Sequence, residues 1–537
     1  MQVTGLSHVE VLFLCLLAAV SALAALAKRI AVPYPIILVI GGLFLSLIPD
    51  APRVALDPDV VFLVFLPPLL FSAAFQISWR EFRHNFSRIF MLAFGLVGFT
   101  IFGVALFTRW LFPGFDWKLG LVLGSVVATT DPISATATAR RLGIPRKITD
   151  LIEAESLVND GSGLVALKFT AALVVIGVTP SFFEGVGELA YLIAAGVVIG
   201  MAVALVVYQI QARISESPIE ITISIVTPYI AYLAAEAAHC SGVMATLACG
   251  IYLGRRSSGY YSLHARIEAS AVWQTLDFIL NGIVFLVLGL QLPTILSEIR
   301  GMPTSVLIFD AIAFVLLVIA LRLVWVYPSA WFTARLRRFF HIRNPNTFTW
   351  REIFIVGWAG MRGVLALAAA MSLPERLNNG QPFPHRNLII FLTFCVIFAT
   401  LVLQGLSLPA LIRHLGLAGA QSSEEEEELA RREMISAAIA KLDQLREESG
   451  SKENETLDQL ELIYRRRMAL LDNREPTHGH VSHSDLVSYE LLAKQLRAVE
   501  REVALRLRDE NKIHDEVLRT VERELDLLDA RFAPASR

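Results

Sequence analysis

Apolar residues recur in runs of bilayer length from the start of the chain to about residue 414. The runs begin near Val9, Val32, Pro58, Ile89, Leu119, Ile152, Val186, Ile219, Val243, Val272, Val306, Ile353 and Leu388. A helix needs roughly 17 to 25 apolar residues to cross a bilayer, so the pattern predicts thirteen membrane-spanning helices. The run near Val243 is short. The first run has no Lys or Arg before it and Lys28 and Arg29 directly after it, the reverse of a cleavable signal peptide. After Ala420 the pattern changes: Leu491, Leu496, Val499, Val503 and Leu507 recur at helical spacing among charges. That spacing predicts amphipathic helices, with the polar stretch Glu475 to Ser484 as a loop between two helical halves.

Composition sharpens this division. The 537 residues are 55% hydrophobic and 18% charged, with a mean hydropathy of +0.57. Residues 421–537 hold 46 charges in 117 positions, opening with the run Glu424 to Glu428, whereas residues 1–420 hold 50 together with all eight Trp. A soluble domain must show water a polar exterior, which the first 420 residues cannot do. The expected organisation is a polytopic membrane domain, 1–420, and a charged helical tail, 421–537. A formal net charge of -2 gives no footprint for nucleic acid. Cys15, Cys240, Cys249 and Cys395 lie in or beside apolar runs without metal-ligand spacing and read as packing residues. His478, His480 and His483 in the tail loop read as solvated, with metal binding as the alternative.

Loops on one side of the predicted spans carry 18 Lys and Arg, from Lys28 and Arg29 to Arg343 and Arg351, and loops on the other side carry six. Basic residues mark the cytoplasmic side. The alternation predicts an outside N-terminus and a cytosolic tail in a cell membrane.

A charge within a span is costly and points to function. In ATTDPISATA, 128–137, Pro132 supplies no N–H and drives Asp131 out of the helical region, so the fifth span should break at mid-membrane. Carbonyls freed near Ala128 and Thr129, with the Thr130 hydroxyl, would then face a cavity. A plain proline kink with Asp131 capping the next half-helix is the blander reading. In EAESLVNDGSGLVALK, 153–168, the i, i+4 pairs Ser156/Asp160 and Glu155/Asn159 put four polar groups on adjoining helix faces. A carboxylate, a hydroxyl and an amide within a turn of one another offer the oxygens a hard monovalent cation needs. Hydrogen bonding between helices is the alternative use of Asn159 and Asp160. In GWAGMRGVLALA, 357–368, Arg362 stays charged and needs a fixed anion, for which Glu155 is the candidate. Lys168 lies two turns beyond Asp160 and either tunes its charge or snorkels to the interface. Asp277 and Asn281 share a face of the tenth span, with Glu236 in the eighth and Arg322 in the eleventh, as cavity lining or links between helices.

Together ATTDPISATA, ESLVNDGSGLVA, GMRGVLALA and VLQGLSLP (402–409) resemble the NhaP/NHE-type sodium/proton exchanger family, in order across most of residues 1–420. The resemblance implies a thirteen-helix inverted-repeat fold with helices five and twelve unwound where they cross. It also implies a homodimer whose transport bundles move against a fixed interface. Asp160 would bind Na+ (or K+ or Li+) and H+ in turn, with Thr130, Asp131 and Ser156 completing the site and Asn159 beside it. Glu155 and Arg362 would form a structural ion pair, and the Asn159-Asp160 pair implies electroneutral exchange. Many relatives have an acidic residue after PPLLF, where this chain has Ser72, which bears on a third carboxylate and on Na+ over K+ preference. No cofactor is implied. Readings from other classes are an intramembrane aspartyl protease using Asp131 and Asp160, and a channel or sensor with a signalling tail. Within the exchanger class the alternative is a K+-preferring antiporter.

Overall fold

The computed structural model describes residues 8–48, 57–112, 114–176, 182–214, 216–299, 303–339, 348–378 and 380–419, with short stretches between 435 and 468 and residue 506. Among the described residues every named element is helical. The chain divides into two units, Met1–Ala420 and Gln421–Arg537. In the second, Arg465 bonds Glu461 one turn away at 2.6 Å, and Arg446 reaches Glu461 at 2.9 Å. The Glu424–Glu428 run, the residues Leu491, Leu496, Val499, Val503 and Leu507 of the expected helix, and His478, His480 and His483 of the expected loop lie outside the described residues.

The first unit begins with α1 (His8–Ile30), α2 (Tyr34–Ser46) and α3 (Leu66–Gln76). It continues with α4 (Leu96–Leu111), α5 (Trp117–Ala128), α6 (Ile133–Arg141) and α7 (Arg146–Ile176). Then come α8 (Phe182–Gln211), α9 (Ser217–Ala237), α10 (Gly242–Tyr260) and α11 (Leu263–Leu290). Last are α12 (Thr304–Phe339), α13 (Trp350–Trp358), α14 (Val364–Met371), α15 (Arg386–Ala399) and α16 (Gly405–His414).

Ten helical segments among the described residues are long and apolar enough to cross a bilayer. They match the predicted runs except those near Val32, Val243 and Ile353, and each exception has a physical reason. Helix α2 has only 13 residues. Helix α10 has 19 but ends in the polar sequence Arg255-Arg256-Ser257-Ser258. The run at Ile353 is split into α13 and α14, of 9 and 8 residues.

Local chemistry sets several helix starts. Thr349 and Glu352 form a capping box at α13, and Lys147 of α7 pairs with that same Glu352 at 2.8 Å. Ser241 and Ser262 accept the first free amides of α10 and α11. The wide π turn Met91–Gly95 precedes α4. Nearby carbonyls are used from outside: Ala93 accepts from Ser162 Oγ at 2.6 Å and Met91 from Trp325 Nε1 at 3.1 Å.

The helices pack as two groups. Helices α1–α3 and α8–α11 form one, and α4–α7 with α12–α16 form the other. Within the first, Gly42 of α2 and Gly289 of α11 sit backbone to backbone. A Cβ on either would strike the other helix's main chain, so only glycine allows this approach. The outer surface stays apolar, with Phe102 and Leu106 on α4, Val198 on α8 and Phe309 and Leu316 on α12 exposed. Such a surface is stable against lipid and not against water.

Candidate functional site

Two interrupted helices cross at the centre of the unit. Helix α5 stops at Ala128, because Pro132 cannot continue the hydrogen-bond ladder and Thr129 is extended (φ -63°, ψ 145°). After Pro132 the chain re-enters a helix as α6. The second break separates α13 from α14 over residues 359–363. The breaks are joined where the Asp131 amide donates to the Met361 carbonyl at 2.8 Å. Asp131 Oδ1 also accepts the Ile133 amide at 2.9 Å, so the carboxylate caps α6 while remaining half-buried. Capping and cavity lining therefore coexist at this residue.

Helix α7 is stitched to the first break by the residues that the i, i+4 spacing singled out. Ser156 Oγ donates to the Thr130 carbonyl, and Asn159 Nδ2 donates to Thr130 Oγ1 at 3.4 Å. Thr130, Ser156 and Asn159 are buried, whereas Asp160 is half-buried. Asn159 Oδ1 and Asp160 Oδ1 are enclosed without a hydrogen-bond partner. Oxygens left so are costly unless a proton, water or cation answers them. Thr130, Asp131, Ser156 and Asp160 all line one cavity of about 390 Å³.

The opposite wall belongs to α3 and α11, through Gln76, Asp277 and Asn281. Ser72 Oγ donates to Asp277 Oδ2 at 2.5 Å. The chain thus holds a third carboxylate beside Ser72, supplied by another helix. At one edge of the cavity Arg140 and Glu153 pair with each other at 2.6 Å.

The ion pair expected between Glu155 and Arg362 is corrected. Glu155 is gripped by Arg322 of α12, Nη1 to Oε1 at 2.7 Å and Nη2 to Oε2 at 2.8 Å. The same guanidinium donates to the carbonyls of Gly357 and Val356, both at 3.0 Å. One planar fork therefore answers both the carboxylate and the last turn of α13. Gly360 permits this, since a Cβ there would overlap the guanidinium. Arg362 lies in the break itself. Its amide donates to Thr400 Oγ1 at 3.0 Å and its Nη1 to the Gly360 carbonyl at 3.2 Å, while its Nε has no partner. Both arginines are buried. A charge inside an apolar helix was the available signal for Arg322, but the spacing of residues could not choose between two arginines. Lys168 turns away from Asp160 and pairs with Glu236, Nζ to Oε1 at 2.8 Å and to Oε2 at 2.9 Å.

A family model described as sodium/hydrogen exchanger, transmembrane, matches residues 15–414. An uncharacterized Na+/H+ exchanger of Mycobacterium tuberculosis is 32% identical over 536 residues, 97% of this chain and 96% of that protein. The Na+/H+ antiporter ApNhaP of Aphanothece halophytica is 31% identical over 420 residues, 76% of this chain and 75% of that protein. A sodium, potassium, lithium and rubidium/H+ antiporter of Bacillus subtilis is 30% identical over 394 residues, 71% of this chain and 58% of that protein. In fold, the chain is similar to the sodium proton antiporter MjNhaP1 of Methanocaldococcus jannaschii, with a TM-score of 0.57 at 18% identity over 76% of this chain and 98% of that one. With the family pattern running through almost the whole helical unit and identity above 30% sustained along the full length of a relative, the chain belongs to the sodium/hydrogen exchanger family.

Proposed function

We propose that this protein exchanges Na+ for H+ across a cell membrane by alternating access, with cation and proton competing for Asp160. The observation that carries the reading is the meeting, in one cavity, of the Asp160 carboxylate with the oxygens of the broken α5–α6 segment. A bare carboxylate is too costly to carry through a dry barrier, so Asp160 moves only when it holds a proton or a cation. That exclusion couples the two fluxes without further machinery. Thr130, Asp131 and Ser156 complete the oxygen set, with Asn159 as hydrogen-bonding neighbour. The Arg322 grip neutralises Glu155, so that carboxylate does not compete for the cation. The Asn159-Asp160 pair favours one-for-one, electroneutral exchange.

The reading takes the three shorter segments, α2, α10 and the α13–α14 pair, as crossings, which gives thirteen. The N-terminus then lies outside and the tail in the cytoplasm, with the cavity edge at Arg140 and Glu153 on the cytoplasmic side. The group containing α5–α7 and α12–α14 moves against the group containing α2, α3 and α11, in a homodimer. K+ and Li+ are the competing ions, and the Bacillus subtilis relative's range, from sodium to rubidium, supports testing them.

The test is a fluorescence-dequenching assay of proton movement in everted vesicles, with Na+, K+ or Li+ added from neutral to alkaline pH. Recovery on adding at least one of these cations is expected. A cation flux that moves no protons would overturn the proposal in favour of a channel.

A steric prediction follows from Gly363. A Cβ there would lie 2.5 Å from the Asp131 side chain, which must shift out of line with Thr130 and Asp160. Gly363→Ala is expected to cut exchange at least about tenfold at unchanged protein level, a barrier change of about 1.4 kcal/mol. Full activity in that variant would show that Asp131 need not hold this position.

A further inference from the structure

Resting on the exchange reading above, we propose that Asp277 is a second cation-binding carboxylate, a staging site on the wall opposite Asp160. Helix α11 presents it to the same cavity, one turn before Asn281. Its two oxygens are differently employed. Oδ2 takes the Ser72 hydroxyl at 2.5 Å, and Ser72 in turn accepts from Gln76 Nε2 at 3.2 Å. That chain fixes the direction of the Ser72 proton and holds the carboxylate in one orientation. Oδ1 is enclosed and has no hydrogen-bond partner. A carboxylate steadied on one side and unanswered on the other, in the wall of an ion pathway, has the chemistry of a monovalent-cation ligand.

The surrounding charges leave it free for this role. Arg140 and Glu153, at the cavity edge, satisfy each other. Among the described residues no Lys or Arg forms an ion pair with Asp277. With Arg140 and Glu153 cancelling each other, Asp131, Asp160 and Asp277 leave the lining net acidic, which favours entry of cations. Placement gives the site its purpose. Asp160 and Asp131 belong to the group of α5–α7, whereas Ser72 and Asp277 belong to α3 and α11 in the other group. A cation held at Asp277 therefore waits on the stationary wall and passes to Asp160 on the moving one. It sets how much cation the exchanger needs and which cation it prefers, while the proton exchange itself stays at Asp160.

The test measures exchange against cation concentration in everted vesicles for Asp277→Asn, Asp277→Glu and Ser72→Ala, with Na+, K+ and Li+. Asp277→Asn is expected to raise the cation KM about tenfold, with a smaller change in maximal rate, and to alter the ranking of the three ions. Asp277→Glu should recover part of the affinity. Ser72→Ala, which removes the steadying bond and keeps the charge, should raise KM about threefold. The proposal is overturned if KM for all three ions stays within about twofold of the parent, or if only maximal rate falls. Should Asp277→Asn fail to accumulate, Ser72→Ala alone decides by the same criterion. Asp160→Asn, run in parallel, separates the two readings. If it is inactive while Asp277→Asn keeps the parent KM, only the staging site fails; if it exchanges normally, the exchange site itself is wrong.

Discussion

Asp160→Asn is expected to abolish cation-driven proton movement in everted vesicles, a fall of at least about a hundredfold, or about 2.7 kcal/mol in barrier terms. The amide has nearly the shape of the carboxylate but cannot carry the negative charge that a cation replaces a proton to meet. The variant should also fold. Asp160 Oδ1 has no partner in the structure, so an uncharged group there removes a desolvation cost and breaks no bond made by that oxygen. Thermal stability of the purified variant at or above that of the parent, with no exchange, is the expected pair of results. Exchange within a few-fold of the parent would refute the role of Asp160. Asp131→Asn should be strongly impaired as well, but for mixed reasons, since Asp131 also caps α6.

The second large effect concerns stability. Removing either member of the Glu155–Arg322 pair, by Glu155→Gln or Arg322→Met, leaves a charge buried and unanswered, a loss of about 3 to 5 kcal/mol. Little protein should accumulate, and what does should unfold at markedly lower temperature in detergent. Glu155→Leu with Arg322→Met, which removes both charges, should recover much of the loss. Arg362→Met should be the milder change, because the bond from residue 362 to Thr400 is made by its backbone amide. A double variant no better than either single, together with an Arg362 variant equally unstable, would mean that Glu155 depends on Arg362 after all.

The sequence and the structure agree where a residue's effect is local. The break after Ala128 follows from Pro132, which lacks an N–H whatever surrounds it. The polar face of α7 follows from i, i+4 geometry within one helix. What could not be read were pairings made by topology. Glu155 and Arg322 are 167 positions apart, Ser72 and Asp277 are 205 apart, and no periodicity brings them together. Two arginines were available to one carboxylate, and the choice fell to Arg322 because α12 lies against α13 and Gly360 leaves it room. The ten segments among the described residues that are long and apolar enough to cross were legible from hydropathy alone. The shorter segments differ in kind: α2 is apolar but has only 13 residues, α10 ends in charge, and α13 and α14 are separated by the chain that answers Asp131.

The bond from the Asp131 amide to the Met361 carbonyl has an electrical consequence. It draws four half-helix ends to one place, two with amides pointing inward and two with carbonyls. Their partial charges, about half an elementary unit each, oppose one another and largely cancel. What imbalance persists is met at the α6 end by Asp131 and at the α13 end by Arg322. The crossing thereby offsets its own helix-end charges and leaves the side chains held there, Asp131 and Arg362, to set the local field.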